Sequence, residues 1–334
     1  MIVPLISVVV PVYNGAETIR AGIESLLSQS FQDFEIVVVD DGSTDGTAEV
    51  VGGINDSRIK LLRQQNRGAA AARNTAIKQS RGEFIAFQDH DDSSTSHRLE
   101  KQLSFLRTHT EVGILGSRSV IIDRNGLSRG GHNHPLADEH LRFELMFDNP
   151  FVTSSVMLPS RVLKEVGLFT LDSKRFPEDY ELWSRISRRF KLANLPDRMI
   201  LYRKSEGSLS STHVAKQIAQ IASENIAFAL GQSSPSTEIT DLALWYHKQY
   251  QLLSPRPNFS KMFEIIRDVA ALLSDGGSSN QDLSAISEDL IRKFIVERPA
   301  QYMPFALRLR RHLMRRHKKI VELTKKHRSP TERK

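Results

Sequence analysis

The sequence predicts an α/β fold, built on a mainly parallel sheet that is flanked by helices and followed by an all-helical C-terminal extension. Short β-branched or aromatic runs alternate with helical periodicity over residues 7–123, a pattern that favours parallel strands joined by right-handed crossovers. Two runs end on clustered carboxylates, at Asp40-Asp41 and at Asp89-His90-Asp91-Asp92. Since ligands of open α/β sheets bind outside the carboxyl ends of the strands, these two segments mark the predicted binding edge.

Local patterns define the elements of the first 123 residues. Ile19, Ile23 and Leu26 recur at helical spacing. Ser43-Thr44-Asp45 can cap a short helix, and the Ala-rich segment 68–79 is strongly helix-forming. We predict strands over 7–12, 34–39, 58–62, 83–88 and 112–123, and helices over 15–29, 43–51, 68–79 and 96–107.

Regular patterning weakens after residue 123. We predict a Gly/His/Asn-rich loop over 124–135, strands over 155–158 and 199–203, and helices over 160–166 and 178–189. Ser/Pro/Gly/Asn stretches then separate helices predicted over 213–230, 238–251, 259–273, 281–296 and 303–327. The sequence therefore predicts an α/β domain over 1–210 and a helical region over 211–334.

Composition excludes several classes of protein. The chain has 40% hydrophobic and 25% charged residues, which is ordinary globular usage. It contains no cysteine, which excludes disulfides, thiolate metal sites and cysteine nucleophiles and fits a reducing compartment. Residues 1–13 lack a basic n-region and read as the first strand, not as a signal peptide. No apolar window reaches membrane-spanning length.

The basic charge is concentrated at the C-terminal end. Residues 305–334 hold twelve Lys/Arg and two acids, so that a net +7 chain has a tail of +10 and a body of −3. Three interpretations stay open: a solvated helix packed on the preceding ones, an interfacial helix on an anionic membrane, and nucleic-acid binding. The last is disfavoured, since no aromatic interleaving or known motif accompanies the charge. An apolar stripe at near-helical spacing supports the first two, through Phe305, Leu309, Leu313, Ile320 and Leu323.

The second acidic segment suggests a metal site. Asp89, Asp91 and Asp92 repel one another unless a cation or hydrogen-bond donors offset their charge. Mg²⁺ or Mn²⁺ takes one or two protein carboxylates and completes its shell with phosphates and water. The alternative is a solvated acidic loop that caps the next helix. His90 alternates with the acids and is expected to be a spacer that points away, not a metal ligand.

Three further segments each have a functional and a structural interpretation. Asp40-Asp41 can accept hydrogen bonds from a base or ribose, or can form an Asx turn. Arg67 and Arg73 can meet a diphosphate, or can be exposed helix arginines. Glu178-Asp179 opens a helix, where a carboxylate can act as a general base or complement the helix dipole.

Taken in order, these segments resemble the family 2 glycosyltransferases of the GT-A fold. The resemblance covers about residues 5–205 and includes five motifs. They are Ser7-Val8-Val9-Val10-Pro11-Val12-Tyr13-Asn14, Asp40-Asp41-Gly42-Ser43-Thr44-Asp45-Gly46-Thr47, Asn66-Arg67-Gly68 with Ala72-Arg73-Asn74, the DxD-like Phe87-Gln88-Asp89-His90-Asp91-Asp92, and Pro177-Glu178-Asp179-Tyr180-Glu181-Leu182-Trp183.

The resemblance implies transfer of a sugar, with inversion, from a nucleoside diphosphate to an acceptor hydroxyl. The base would most often be uridine, and Mn²⁺ or Mg²⁺ would stabilise the leaving diphosphate. The nucleotide half would span 1–123 and the acceptor half 124–210. In the implied roles, Pro11, Tyr13 and Asp41 line the base pocket, Asp40 supports the turn, and Arg73 meets the ribose or phosphates. Asp89, His90 and Asp91 form the DxD motif at the nucleotide sugar, Asp91 with Asp89 and Asp92 holds the metal, and Asp179 is the base with Glu178 beside it.

One position departs from the family pattern. Members often have a histidine after the Tyr-Arg pair, whereas Tyr202-Arg203-Lys204 is followed here by Ser205. Serine is a poorer ligand for a metal or diphosphate, and Arg203 and Lys204 are candidate substitutes. The segment 149–155 resembles the one that shapes the acceptor side.

Two other classes of function compete with catalysis of glycosyl transfer. The main alternative is a non-catalytic nucleotide-sugar-binding protein tethered to the membrane. A nucleotidyltransferase is disfavoured, because no Gly-rich basic loop follows the first strand. The expected partners are a nucleotide-sugar donor, a glycan or lipid-linked acceptor, and an anionic membrane surface through 305–334, with no nucleic acid. The expected location is cytoplasmic, peripheral on the inner face of the membrane.

Overall fold

The computed structural model of the protein describes residues 3–204, 214–274 and 280–297. Its strands are β1 (Ile6–Val12), β2 (Phe34–Asp40), β3 (Ile59–Arg63), β4 (Phe84–Phe87), β5 (Ser93–Ser94), β6 (Val112–Ile122), β7 (Ser128–His132), β8 (Met157–Pro159) and β9 (Lys191–Arg203). Its helices are α1 (Ile19–Leu27), α2 (Thr47–Gly52), α3 (Ala69–Gln79), α4 (Arg98–Thr108), α5 (Asp138–Leu145), α6 (Ser160–Val166), α7 (Glu178–Ser187), α8 (Ala215–Ala229), α9 (Thr237–Tyr246), α10 (Phe259–Ser274) and α11 (Asn280–Glu297).

The strands form one sheet in the order β3-β2-β1-β4-β8-β6-β9-β5, with β7 paired to β6. The four strands β3, β2, β1 and β4 are parallel. Strand β8 then runs antiparallel to both β4 and β6, and β9 runs parallel to β6. Val12 lies opposite Asp40, and Val9 lies opposite Phe87. The carboxyl ends of β1, β2 and β4 therefore meet at one edge, as the sequence predicted.

Helices cover both faces of this sheet. Every residue of β1 and β2 is buried, which is typical of a strand buried on both faces. Val9 packs in a core cluster with Ala72 of α3 and Trp183 of α7. Val8 packs in the opposite cluster with Leu99 of α4. Successive side chains thus enter opposite layers, and α3 and α7 are fixed on one side of the sheet.

Three predictions between residues 124 and 198 were wrong. The segment 124–135, expected to be a loop, contains β7, which forms a hairpin with β6. Helix α5 was missed, because Leu141, Phe143 and Leu145 alternate as in a strand. Strand β9 begins at Lys191 and not at Met199. Its register along β6 shifts between Ser117 and Ser119, so its pattern is not a simple alternation.

The helices predicted between 213 and 296 are confirmed as α8 to α11. The helix predicted over 303–327 lies outside the described residues. The chain divides into compact units 1–284 and 285–334, and the boundary that we placed at residue 210 stays a prediction. Within the described residues, no helix combines the length and the apolar character needed to cross a bilayer.

Candidate active site

A cavity of about 670 Å³ lies at the carboxyl ends of β1, β2 and β4, and we refer to it as the first cavity. Residues from every motif except the one at α7 line it. It also takes Tyr202 and Arg203 from the end of β9. Of the residues predicted to bind nucleotide sugar, seven line this cavity: Pro11, Tyr13, Asp41, Arg73, Asp89, His90 and Asp91.

Asp41 fixes the loop that leads into α3. Its Oδ1 accepts hydrogen bonds from Gln64 Nε2 at 2.7 Å and from the Arg67 amide at 3.0 Å. Its Oδ2 accepts one from the Gly68 amide at 2.7 Å. One carboxylate therefore places the start of α3 against the cavity, and Asp41 itself lines the cavity wall.

Asp40 lies behind that wall and is fully buried. Its Oδ1 accepts a hydrogen bond from the Ser43 amide at 2.8 Å, and its Oδ2 lies 3.3 Å from Arg63 Nε. Gly42, the next residue after Asp41, has φ +81°, and a Cβ there would lie 2.9 Å from the Asn66 amide nitrogen. Both observations favour glycine at this position. The structure brings Asp40 to the turn, where we predicted a supporting role, and not to the cavity.

Arg73 of α3 is a buried cation between two acids. Its Nη2 donates to Asp89 Oδ1 at 2.8 Å, and its Nη1 donates to Glu178 Oε1 at 2.7 Å. Burial lowers the pKa of Arg73, but the charges of Asp89 and Glu178 more than offset this and raise it. The interpretation of Arg73 as an exposed helix arginine was therefore wrong.

The acids after β4 face three different surroundings. Asp89 bonds to Arg73, while Asp92 is buried and its Oδ1 accepts from the Arg203 amide at 2.8 Å. Asp91 lines the first cavity and has no side-chain hydrogen-bond or ion-pair partner within the described residues. Burial raises the pKa of Asp91, and the adjacent Asp89 charge adds to this. Burial also raises the pKa of Asp92 well above its usual range.

The acids of this loop meet the needs of a divalent metal with one carboxylate and not with three. The described part of the chain contains no group of three or more His, Asp or Glu side chains arranged to hold one. A hard cation needs only one or two protein carboxylates where diphosphate and water complete the shell. Asp91 meets that requirement, because its carboxylate faces the cavity and no other described side chain bonds to that carboxylate. The residues fit a site centred on one carboxylate better than the three-acid site that we expected.

His90 lies beside the acids but is held by the segment that leads into α1. Its Nδ1 is 3.0 Å from the hydroxyl oxygen of Thr18. A Cβ at Gly15 would lie 2.7 Å from that same nitrogen. The imidazole lines the first cavity together with Asp89 and Asp91, while its Nδ1 is engaged outside the acidic cluster. Its role as a spacer stays a prediction.

A second cavity, of about 480 Å³, adjoins the first, and its wall includes Glu178 and Asp179. The two cavities share the side chains of Ala69, Arg73, Asp89 and Tyr202. Burial raises the pKa of Glu178, although the Arg73 charge opposes the effect. The structure therefore separates the two adjacent acids: Glu178 is bound to Arg73, and Asp179 faces the second cavity.

Asp179 is oriented by uncharged donors. Its Oδ2 accepts hydrogen bonds from Thr153 Oγ1 at 2.6 Å and from Asn149 Nδ2 at 3.1 Å. Its Oδ1 accepts from the Tyr180 amide at 2.7 Å, at the start of α7. These bonds fix the carboxylate at the wall of the second cavity, and a carboxylate so placed can accept a proton from a bound hydroxyl.

Sequence reasoning missed several residues of the second cavity. His132 and His134 line it from β7 and the segment after it, within the predicted loop 124–135. Their signal was the pair of histidines two residues apart, as expected for one face of a strand. The sequence marks Tyr202 only through the Tyr-Arg pair, and Thr153 only through the segment 149–155 that resembles an acceptor side.

Arg203 and Lys204 are the predicted substitutes for the histidine that the family often has at position 205, and the structure distinguishes between them. Ser205 and the basic tail 305–334 lie outside the described residues. The Arg203 side chain donates to the backbone oxygens of Asp91, Asp123 and Arg124 at 3.0–3.2 Å. It therefore ties the acidic loop to the β6–β7 turn, and Lys204 stays the candidate for a phosphate contact.

Comparison with known proteins confirms the predicted family. Residues 7–167 match the family model described as Glycosyl transferase family 2. Over 210 residues the chain is 33% identical to WfgD of Escherichia coli, covering 62% of this chain and 80% of that protein. WfgD is named UDP-Glc:alpha-D-GlcNAc-diphosphoundecaprenol beta-1,3-glucosyltransferase.

Two solved structures have the same fold. One is S. aureus TarS 1-349 in complex with UDP-GlcNAc, with a TM-score of 0.57, 20% identity, and coverage of 86% of this chain and 92% of that one. The other is the mannosyltransferase PcManGT from Pyrobaculum calidifontis in complex with GDP-Man and Mn2+. It has a TM-score of 0.52, 21% identity, and coverage of 88% and 84%. These likenesses confirm the predicted GT-A fold.

Proposed function

The chain belongs to glycosyl transferase family 2 and is a glycosyltransferase of the hexosyltransferase type, and on that premise we propose its reaction. It moves a sugar from a UDP-sugar to a hydroxyl of a glycan or lipid-linked glycan, with inversion at the anomeric carbon. The proposal of UDP-glucose and a lipid-linked acceptor draws on the name of the relative WfgD. The product would then serve polysaccharide biosynthesis.

The observation that carries this proposal is the pair of adjoining cavities with one shared wall. The first holds the predicted nucleotide residues, and the second holds Asp179. A nucleotide sugar in the first cavity would present its anomeric carbon at the wall formed by Arg73 and Asp89. An acceptor in the second would reach that carbon from the opposite side, as inversion requires.

Asp179 is the proposed general base. Thr153 and Asn149 hold one of its oxygens, so the carboxylate is fixed before the acceptor arrives. It takes the proton of the acceptor hydroxyl while the hydroxyl oxygen bonds to the anomeric carbon and the bond to the diphosphate breaks. Glu178 holds Arg73, so we assign it to positioning and not to proton transfer.

The remaining residues are assigned to the donor. Pro11, Tyr13 and Asp41 would contact the base, and Asp40 would hold the turn beneath them. Arg73 would face the phosphates. Asp91, with Asp89 beside it, would hold Mn²⁺ or Mg²⁺, which supplies positive charge to the leaving diphosphate. Asp92 would anchor the acidic loop through the Arg203 amide.

Thermal denaturation with a nucleotide panel tests the donor assignment. A ligand that binds only the folded state raises the melting temperature by mass action. We expect UDP to raise it more than GDP, dTDP, CDP or ADP, and more with Mn²⁺ than without it. No shift with any nucleotide would contradict the proposal and favour a degenerate site.

A further inference from the structure

Tyr202 lies where the two cavities meet. Four residues line both cavities, namely Ala69, Arg73, Asp89 and Tyr202. Ala69 offers no polar side-chain atom, and the side chains of Arg73 and Asp89 hydrogen bond to each other. In the part of the chain that the structure describes, the Tyr202 hydroxyl has no hydrogen-bond partner. The Tyr202 hydroxyl is thus a polar group of the shared wall that is ready for a ligand, in addition to the Nε atom of Arg73, which also has no hydrogen-bond partner among the described residues.

The Tyr202 ring is held from behind. Its backbone lies in β9 opposite Ile121 of β6. The His132 ring meets it edge to face, with centroids 5.2 Å apart and planes at 79°. His132 is fixed in turn, because its Nδ1 lies 2.7 Å from the hydroxyl oxygen of the buried Ser119. Such edge-to-face pairs favour a defined ring position, so the Tyr202 hydroxyl can meet a ligand without movement of the ring.

The surroundings keep this phenol protonated. Burial raises the pKa of Tyr202 to about 12, and the nearby charges of Asp92 and Asp89 contribute to that rise. Ionised carboxylates only accept hydrogen bonds, whereas each sugar hydroxyl also has oxygen lone pairs that need a donor. A neutral phenol supplies a donor at a wall where its acidic neighbours cannot.

We infer that Tyr202 positions the transferred sugar by donating a hydrogen bond to a hydroxyl of that sugar. Its ring forms part of the wall that the donor and acceptor cavities share. The inference rests on the proposed function, because the sugar must lie at the junction if its anomeric carbon is to meet both the diphosphate and the acceptor. It assigns Tyr202 to the sugar and not to the nucleotide.

Binding of UDP and of UDP-glucose to wild-type and variant protein, measured by calorimetry at fixed Mn²⁺, tests this. We expect Tyr202→Phe to weaken UDP-glucose binding by about tenfold, the effect of one lost hydrogen bond, and to leave UDP binding unchanged. Tyr250→Phe is the matched control. It makes the same chemical change in the short 3₁₀ helix Tyr250–Leu252, outside both cavities, and should alter neither affinity.

The outcomes separate this inference from the proposed function. Failure of wild-type protein to bind either ligand would contradict the donor assignment itself. Normal UDP binding with unchanged UDP-glucose binding in Tyr202→Phe would overturn only the role of Tyr202. An equal loss of both affinities would overturn it as well, because Tyr202 would then support the nucleotide site. The melting temperature of each unliganded variant shows whether folding is preserved.

Discussion

Two adjacent carboxylates at the start of α7 have different partners, and this difference separates their roles. Glu178 is bound to the guanidinium of Arg73, whereas Asp179 accepts hydrogen bonds from Thr153 and Asn149. The bond from Arg73 Nη1 at 2.7 Å engages Glu178 at the shared wall, whereas Asp179 is held by uncharged donors and faces the second cavity. Asp179 is therefore the better placed base, although both acids line the second cavity.

Replacing Asp179 with asparagine tests its assignment as the general base, because the substitution changes one carboxylate oxygen to an amide nitrogen. We expect Asp179→Asn to lower the transfer rate by roughly 10²- to 10⁴-fold, the usual contribution of a general base. The amide keeps the size of the carboxylate, so the Mn²⁺-dependent shift in melting temperature with UDP should be unchanged. Transfer at the wild-type rate by Asp179→Asn would show that the base lies elsewhere.

The positions of the carboxylates in the first cavity could be predicted from sequence, since each follows a strand in the parallel part of the sheet. Asp41 comes directly after β2, and Asp89 is the second residue after β4; the carboxyl ends of these two strands must share an edge. Tyr202 and His132 could not be placed in the same way. They come together because β9 and β7 both pair with β6. Strand β9 is distant from β6 in sequence, and β7 lies in a segment whose composition predicts a loop.

At the scale of elements, α1 packs unusually close to the acidic loop after β4. A Cβ at Gly22 would lie 2.9 Å from the His90 carbonyl oxygen and 3.2 Å from that of Asp92. The Gln88 side chain also donates to the Gly22 carbonyl at 3.0 Å. Glycine at this position therefore allows the loop that carries Asp89 and Asp91 to lie directly against α1.

Adding one methyl group should displace that loop. We expect Gly22→Ala to cost about 1–3 kcal/mol of unfolding free energy, as overpacking usually does, and to reduce the Mn²⁺-dependent part of the UDP shift. Urea denaturation and the nucleotide melts measure the two effects.

The matched control is Gly52→Ala at the end of α2, where nothing lies within 4 Å of the added Cβ. There the same change should be neutral or should stabilise the protein by about 0.4–1 kcal/mol. Equal effects of the two substitutions would mean that contact with the loop is not responsible.

Element boundaries were predictable where one periodicity dominates. Helix α6 has the predicted bounds, and β1 and β2 differ from prediction by one residue. Prediction failed for α5 and β7, whose amphipathic patterns are short and are set by packing against β9 and β6. Tertiary contacts decide such segments, and a local pattern cannot contain that information.

At the scale of the whole molecule, charge is distributed unevenly. The tail 305–334 carries +10 and the rest of the chain −3. We propose that this tail attracts the protein to anionic lipid, where a lipid-linked acceptor would lie, because each basic residue near such a surface contributes about 1 kcal/mol.

Removal of residues 305–334 should abolish sedimentation with vesicles that contain anionic lipid. The intact chain should sediment with them at low salt and less at high salt, as screening requires. The truncated protein should keep its melting shift with UDP, which controls for folding. Equal sedimentation of both proteins would refute the membrane role of the tail.

The position of β9 in the sheet has a consequence for synthesis on the ribosome. This strand lies between β6 and β5, and its Arg203 amide binds Asp92 across 111 positions of sequence. The acidic loop emerges early, yet one of its anchors is translated more than a hundred residues later. Contacts of such long range form late, so a nascent chain that ends before β9 cannot complete the donor site. Residues 1–123 are therefore not expected to form an independent nucleotide-binding module.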